Sequence, residues 1–220
     1  MPRVKLQWAT PDADAQIMYM ARVSNPKNQD SGKARLLYYC MENGHVSPFE
    51  MASACLEIEG SRSITRQILR HRASSFQEFS QRYQDVNELP EFEVVECRLQ
   101  DTKNRQKSIK LDDSDESKQL SYLWEQHQRD VIHKSLSIYN WAINNGIAKE
   151  QARVVLPEGL TQTRLYMSSN FRNWIFYLKQ RLDPTAQEEH RLIAVECLKV
   201  LRTVAPITMK AFFGDENENT

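Results

Sequence analysis

Helical spacing dominates this chain, and alternation is confined to three short runs. Residues 12–23 (DADAQIMYMARV) set apolar side chains three and four apart, with Asp12 or Asp14 placed to cap the start of a helix. Residues 33–44 (KARLLYYCMENG) read as a second helix closed by Gly44, after the loop NPKNQDSG. The connector HVSPFEM leads to ASACLEIEG (52–60), which alternates as a strand should. From Ser61 to Arg72, Ile64, Ile68 and Leu69 form one stripe, so the spacing predicts a helix whose last turn carries Arg70, His71 and Arg72.

A second strand is expected over FEVVECRL (92–99) and a third over LTQTRLYMSSN (160–170). Residues 120–144 form a long helical pattern ending near Gly146, and AKEQARVVLP is a short helix stopped by Pro157. FRNWIFYLKQRL (171–182) and TAQEEHRLIAVECLKVLRTVA (185–205) complete the helices. The interval 100–118 is the most polar stretch and reads as an excursion; the acidic residues 214–220 read as a frayed tail. No repeat is visible, and residues 1–220 read as one mixed domain with more helix than strand.

Composition removes several function classes. The 29 Lys and Arg balance 29 Asp and Glu, so no chain-wide field favours a nucleic-acid polymer or an anionic membrane. No apolar run reaches the roughly 18 residues of a membrane span, and the first residues lack the apolar core of a secretory signal. Cys40, Cys55, Cys97 and Cys197 are far apart and form no CxxC pair. They read as reduced, semi-buried thiols of a cytoplasmic protein. His127, His133 and His190 sit on helical patterns without metal-ligand spacing, so no metal site is expected. Trp141, Trp174, Tyr38 and Tyr39 lie within apolar stripes and read as core or subunit contacts.

Charge placement changes the picture. Gly60 to Gln77 holds four arginines and His71 without one acid. Arg62, Arg66 and Arg70 fall at i, i+4 and i+8, where like charges oppose one another. Either acids elsewhere in the fold neutralise this face, or it waits for an anion. Gln67 shares that face; Ser74, Ser75 and Ser80 add hydroxyls, Arg82 adds a guanidinium, and Phe76 and Phe79 offer flat rings. The set suits a nucleotide, with guanidinium for phosphate, amide for a base edge and aromatic for a ring face. The glycines of a P-loop or GxGxxG turn are missing, so side chains must hold the phosphate. A non-catalytic nucleotide- or RNA-binding module using the same face is the alternative reading.

RHRASSFQEFSQRY (70–83) resembles the Arg-His-Arg, seven residues, Ser motif of the flavin-dependent thymidylate synthases, with Glu78, Arg82 and Tyr83 also in place. NGHVSPFE (43–50), ARVVLP (152–157) and NFRNWIFYLKQR (170–181) resemble further elements of that family, in its order. The resemblance implies an α+β fold, an antiparallel sheet with surrounding helices. It also implies an enzyme that methylates dUMP to dTMP, with methylenetetrahydrofolate as carbon donor, FAD as bound cofactor and NADPH as reductant. A homotetramer with shared sites is implied as well.

Carried over residue by residue, the resemblance gives dUMP to Gln67, Arg70, Glu78, Phe79, Ser80, Gln81, Arg82 and Arg181, with Arg153 reaching in from a neighbouring chain. FAD falls to Ser47, Arg70, His71, Arg72, Glu78, Asn170 and Arg172, and His45 to the region of flavin and folate. Arg181, Ser80 and His45 are the residues expected at the chemistry. Ser80 is expected to donate to substrate rather than attack it, since no Asp/His pattern supports a nucleophile. The chain departs from the family at Gln77, Gln81, Phe176 and Thr185, and KNRQ (103–106) resembles an element of a viral and bacterial subgroup.

Overall fold

The computed structural model describes residues 3–215, so only the start of the expected tail, Gly214 and Asp215, lies within it. Its main sheet has four strands in the order β1-β2-β6-β3, every neighbouring pair antiparallel. These are β1 (Arg3–Ala9), β2 (Ser53–Ser61), β3 (Ser75–Glu78) and β6 (Gln162–Asn170). The register sets Leu56 against Met167 and Ile58 against Leu165 on one face, all fully buried. On the other face Glu59 stands opposite Arg164, whose guanidinium reaches its carboxylate at 2.7 Å and 3.0 Å, and Tyr166 donates to Glu57 at 2.9 Å. One face therefore packs on helices, while the other satisfies its own charges across strands.

Three helices cover the apolar face: α6 (Phe171–Arg181), α7 (Glu188–Val204) and α8 (Pro206–Phe213). Trp174 and Tyr177 of α6 are its largest fully buried side chains, and the Trp174 indole donates to the Ala54 carbonyl of β2 at 3.1 Å. Two N-terminal helices, α1 (Ala13–Ala21) and α2 (Arg35–Glu42), add Ile17 and Leu37 to the same core. α3 (Arg62–Ile68) follows β2 without a loop and ends before Arg70. Arg70, His71 and Arg72 therefore sit in the turns after the helix rather than in its last turn, with Arg70 and Arg72 exposed and His71 half-buried.

Several expectations are corrected. β1, β3 and α8 were not anticipated: β1 is a largely exposed edge strand, β3 has four residues, and α8 follows α7 after Ala205 alone. Residues 91–97 form no strand; only β4 (Arg98–Gln100) is regular, and it pairs with β5 (Ser108–Lys110) as a hairpin inside the expected excursion. The failed strand has a substitute partner. The Gln128 amide accepts from Val95 N–H at 2.7 Å and donates to Val95 C=O at 2.9 Å, as a neighbouring strand would. Gln128 belongs to α4 (Asp115–Asn144), which Ser114 caps by accepting from Ser117 N–H. After α4 comes the short α5 (Lys149–Ala152).

Asp12 precedes α1 in the left-handed region at φ 47° and makes no side-chain cap. Asp14 caps a different helix. Its buried carboxylate accepts from Ile207 N–H at 2.7 Å, Thr208 N–H at 3.0 Å and the Thr208 hydroxyl at 2.5 Å, at the start of α8. Replacing Asp14 with Ala should lower the unfolding free energy by about 2–4 kcal/mol, since three donors lose a buried acceptor. Asp12→Asn should cost no more than about 0.5 kcal/mol. Urea unfolding of both variants checks the pair; equal losses would refute the assignment.

Candidate active site

The arginine face divides once the chain folds. Arg62, buried at the start of α3, lies 3.3 Å from Glu158 and 3.6 Å from Glu78, and Arg66 pairs with Glu158 at 2.8 Å. These two cations belong to the fold. Glu78 also faces inward, accepting from Thr65 at 3.4 Å and Thr163 at 3.2 Å. Arg70 and Arg72 are exposed and make no side-chain hydrogen bond or ion pair among the described residues.

Beside them stands a buried group on α6 and α7. Arg181, at the end of α6, donates through Nε to His71 Nε2 at 3.2 Å. His71 must then be neutral, with its proton on Nδ1. Burial, and then the Arg181 charge, lower its pKa to about 4, in keeping with that contact. The Tyr177 ring lies between two imidazoles, with centroids 5.0 Å from His71 and 5.7 Å from His190. His190 is fully buried, and burial, Arg181 and His71 lower its pKa to about 3. Arg181 has no carboxylate within ion-pair distance among the described residues.

A directed chain of hydrogen bonds leads outward from His190. Its Nδ1 meets Gln67 Oε1 at 3.2 Å; an amide oxygen only accepts, so Nδ1 carries the proton. Gln67 Nε2 donates to Gln187 Oε1 at 2.7 Å, and Gln187 Nε2 donates to Glu189 Oε2 at 2.9 Å. Arg98 of β4 bonds the other Glu189 oxygen. The chain fixes the orientation of both amides and leaves Gln67 one free N–H. Sequence reasoning assigned Gln67 but left His190 as a bland surface or core residue. The clue was the three-residue spacing of Gln187 and His190 on one helix.

The other expected residues gather in two places. Arg82 lies 3.6 Å from the Glu150 carboxylate, and Arg153 donates to the Glu150 carbonyl at 3.3 Å. His71, Arg72, Arg172, Phe176 and Gln180 line a depression of about 430 Å³. Asn170 caps α6 by accepting from Asn173 N–H at 3.0 Å, and Arg172 pairs with Glu50, which ties the turn Ser47–Glu50 to α6. Ser47 and His45 are exposed; the His45 ring packs edge-on against Tyr39 at 5.8 Å, and no contact joins it to Arg181 or Ser80. Phe79 is half-buried, its N–H donating to the Arg164 carbonyl at 2.9 Å.

The donor set fits the groups it was expected to hold. The unpaired Arg72 guanidinium and the Glu50-paired Arg172, beside a half-exposed Phe176 ring, offer charge for a diphosphate and a face for a flat ring system. Gln81 is nearly fully buried, yet its Nε2 has no partner among the described residues, which leaves a donor for a ligand acceptor. The half-buried Ser80 hydroxyl is likewise unengaged among the described residues.

Comparison with known proteins places the chain among relatives over nearly its whole length. The family described as thymidylate synthase complementing protein matches residues 5–207. The flavin-dependent thymidylate synthase of Synechocystis sp. is 43% identical over 210 residues, covering 96% of this chain and 94% of the relative. A probable flavin-dependent thymidylate synthase of Paramecium bursaria Chlorella virus 1 is 43% identical over 201 residues, covering 90% of each chain. Among solved structures, the UMP/dUMP methylase PolB from Streptomyces cacaoi, bound with 5-Br dUMP, has the same fold. Its TM-score is 0.81 at 24% identity, covering 100% of this chain and 98% of PolB.

The lowered histidines make stability depend on pH. Below the unfolded-state value near 6.5, the unfolded chain takes up protons that His71 refuses down to about 4 and His190 down to about 3. Stability therefore falls as pH drops through that window, and above it the penalty is absent. One fully buried histidine contributes at most about 1.4 kcal/mol per pH unit. His190→Phe should flatten the fall between pH 6 and 4, read by urea unfolding at fixed salt. An unchanged slope would exclude His190 as its source.

Proposed function

The chain belongs to the thymidylate synthase complementing protein family, the flavin-dependent thymidylate synthases, and on that premise we propose a division of labour among its site residues. The enzyme methylates dUMP to dTMP with methylenetetrahydrofolate as carbon donor. FAD, reduced by NADPH, supplies the hydride that converts the transferred methylene into a methyl group.

The observation that carries the assignment is Arg181. Its guanidinium lacks a carboxylate partner among the described residues and touches only a neutral imidazole, so its full charge remains for a ligand. Against uracil, that charge stabilises the ring anion and raises electron density at C5, the carbon that takes the methyl group. Preorganised charge of this type is worth several kcal/mol in a dry site. Burial pushes up the thiols of Cys40, Cys55 and Cys197, so none of the three is a ready thiolate for attack at C6.

Gln67 offers its free N–H to the base edge, held by His190. Arg82 and Arg153 take the nucleotide phosphate; the exposed Arg82–Glu150 pair is weak and yields to a dianion. Ser80 and Gln81 donate to the nucleotide, Phe79 flanks it, and Glu78 orients that strand end. Arg70 serves nucleotide and flavin. His71, Arg72, Asn170 and Arg172 hold FAD, with Ser47 and His45 on the flavin and folate side. The RNA-binding alternative is weakened because Glu158 and Glu78 pair with two of the four arginines.

The assembly proposed is a homotetramer with shared sites. α4 supports it, since the helix leaves Leu120, Trp124, Val131, Ile138 and Trp141 exposed along one seam spaced by threes, fours and sevens. A cytoplasmic location is part of the same proposal. Its supports are four free cysteines and the lack, among the described residues, of any helix long and apolar enough to cross a membrane.

The direct test is dTMP formation from dUMP, methylenetetrahydrofolate and NADPH, with and without added FAD. Arg181→Ala should keep flavin, seen as visible absorbance, and lose methyl transfer; retained turnover would show the pyrimidine role to be misplaced. Arg82→Ala should weaken dUMP by about 1.5–3 kcal/mol and leave deoxyuridine binding nearly unchanged. Equal losses for both ligands would count against phosphate as its partner.

A further inference from the structure

We propose that the groove between the β4–β5 hairpin and the loop joining α6 to α7 binds the anionic glutamate tail of the folate co-substrate. The inference rests on the reaction assigned above and adds a site outside the Arg-His-Arg motif segment, residues 70–83.

The hairpin is anchored, not loose. Arg98, on β4, has a side chain only 9% exposed; it bonds Glu188 at 3.0 Å and also Glu189, both in the first turn of α7. Lys110, on β5, reaches Glu188 at 2.9 Å. Two cations and two carboxylates thus fix the hairpin against α7, and its turn, residues 101–107, is held out beside the 184–187 loop. Between them lies a groove of about 570 Å³.

Its charges are spent unevenly. The anchoring cations are matched by Glu188 and Glu189, but Arg105 and Lys107 of the turn make no side-chain hydrogen bond or ion pair among the described residues. Arg191, on the next turn of α7, feels the field of Glu188 without pairing with it. Lys107 feels Asp101 and Asp183 in the same way. Three cations therefore line the groove with counter-charge nearby but no partner, a poor arrangement for a fold and a good one for carboxylates.

The position of the groove selects the ligand. One wall is Gln187, the residue hydrogen-bonded to Gln67 at 2.7 Å, so the groove opens next to the amide assigned to the nucleotide. The carbon donor must occupy the site together with dUMP, whereas the nicotinamide need only meet the cofactor. A folate has a flat, reactive end and a tail bearing carboxylates. With the flat end beside the pyrimidine, the tail has to leave past one of the walls of the site, and Gln187 is the wall that carries unpaired cations behind it.

The test compares wild type, Arg105→Glu/Lys107→Glu and Arg191→Ala, all as full chains, since the first pair lies on an exposed turn outside the catalytic machinery. Turnover is measured with monoglutamyl and triglutamyl methylenetetrahydrofolate, and binding of triglutamyl folic acid by calorimetry, which needs no turnover. Wild type should favour the triglutamyl form, and the charge-reversed protein should lose about tenfold in its KM and in the calorimetric affinity. The monoglutamyl form should lose less, and the KM for dUMP and the melting temperature should hold. The wild-type preference should fade at high salt, as paired charges are screened. Unchanged triglutamyl binding in the reversed variant overturns the proposal. A rise confined to the KM for NADPH also overturns it and gives the groove to a dinucleotide phosphate. Failure of the assigned reaction would look different: no dTMP from wild type, with charge-dependent triglutamyl binding intact.

Discussion

Everything at this site depends on a guanidinium that the protein declines to neutralise. Arg181 closes α6 against two imidazoles and a buried phenol, and burial keeps both imidazoles neutral. Had either taken up a second proton, like charges would crowd the end of α6 and push the arginine aside. Had a carboxylate stood there instead, the positive field would be cancelled before any ligand arrived. A neutral nitrogen that accepts a hydrogen bond solves both problems: it aims the side chain and leaves the charge intact.

The rest of the electrostatic plan sorts cations by task. Glu158, Glu78, Glu188 and Glu189 are assigned to arginines and lysines that hold elements together, with Arg62 and Arg98 buried and Arg66 and Lys110 at the surface. Arg70, Arg72 and Arg181 are left without such partners. Arg82 and Arg172 are intermediate, Arg172 matched with half-buried Glu50 and Arg82 with exposed Glu150, where exchange for a stronger anion costs little. A chain with zero net charge can therefore present a strongly cationic site, because balance is enforced locally and then withheld locally.

Much of this was legible in the residues, and the limits were physical. Long periodic segments such as α4, α6 and α7, and the alternating β2 and β6, follow from side-chain spacing, since burial of one face is written into period. β1 alternates as a strand does, but it lies at the sheet edge with Leu6 and Trp8 exposed, so burial does not single it out. FEVVECRL reads as a strand by composition, yet its partner is the amide of Gln128, which periodicity cannot show. The run of arginines was visible, but not which were spoken for: that is settled by Glu158, 92 residues from Arg66. His190 was seen and set aside, because only the fold brings α7 against α3.

One feature reaches past the site altogether. The carboxylate that starts α8 is carried by α1, 194 residues earlier in the chain. During synthesis Asp14 emerges almost at once, while its donors at Ile207 and Thr208 appear only as the last helix leaves the ribosome. Until then the carboxylate has nothing to hold inside the hydrophobic interior and is better left in water, which keeps α1 undocked. The molecule thus has a built-in delay: its interior closes late, after every strand and arginine of the site has been made.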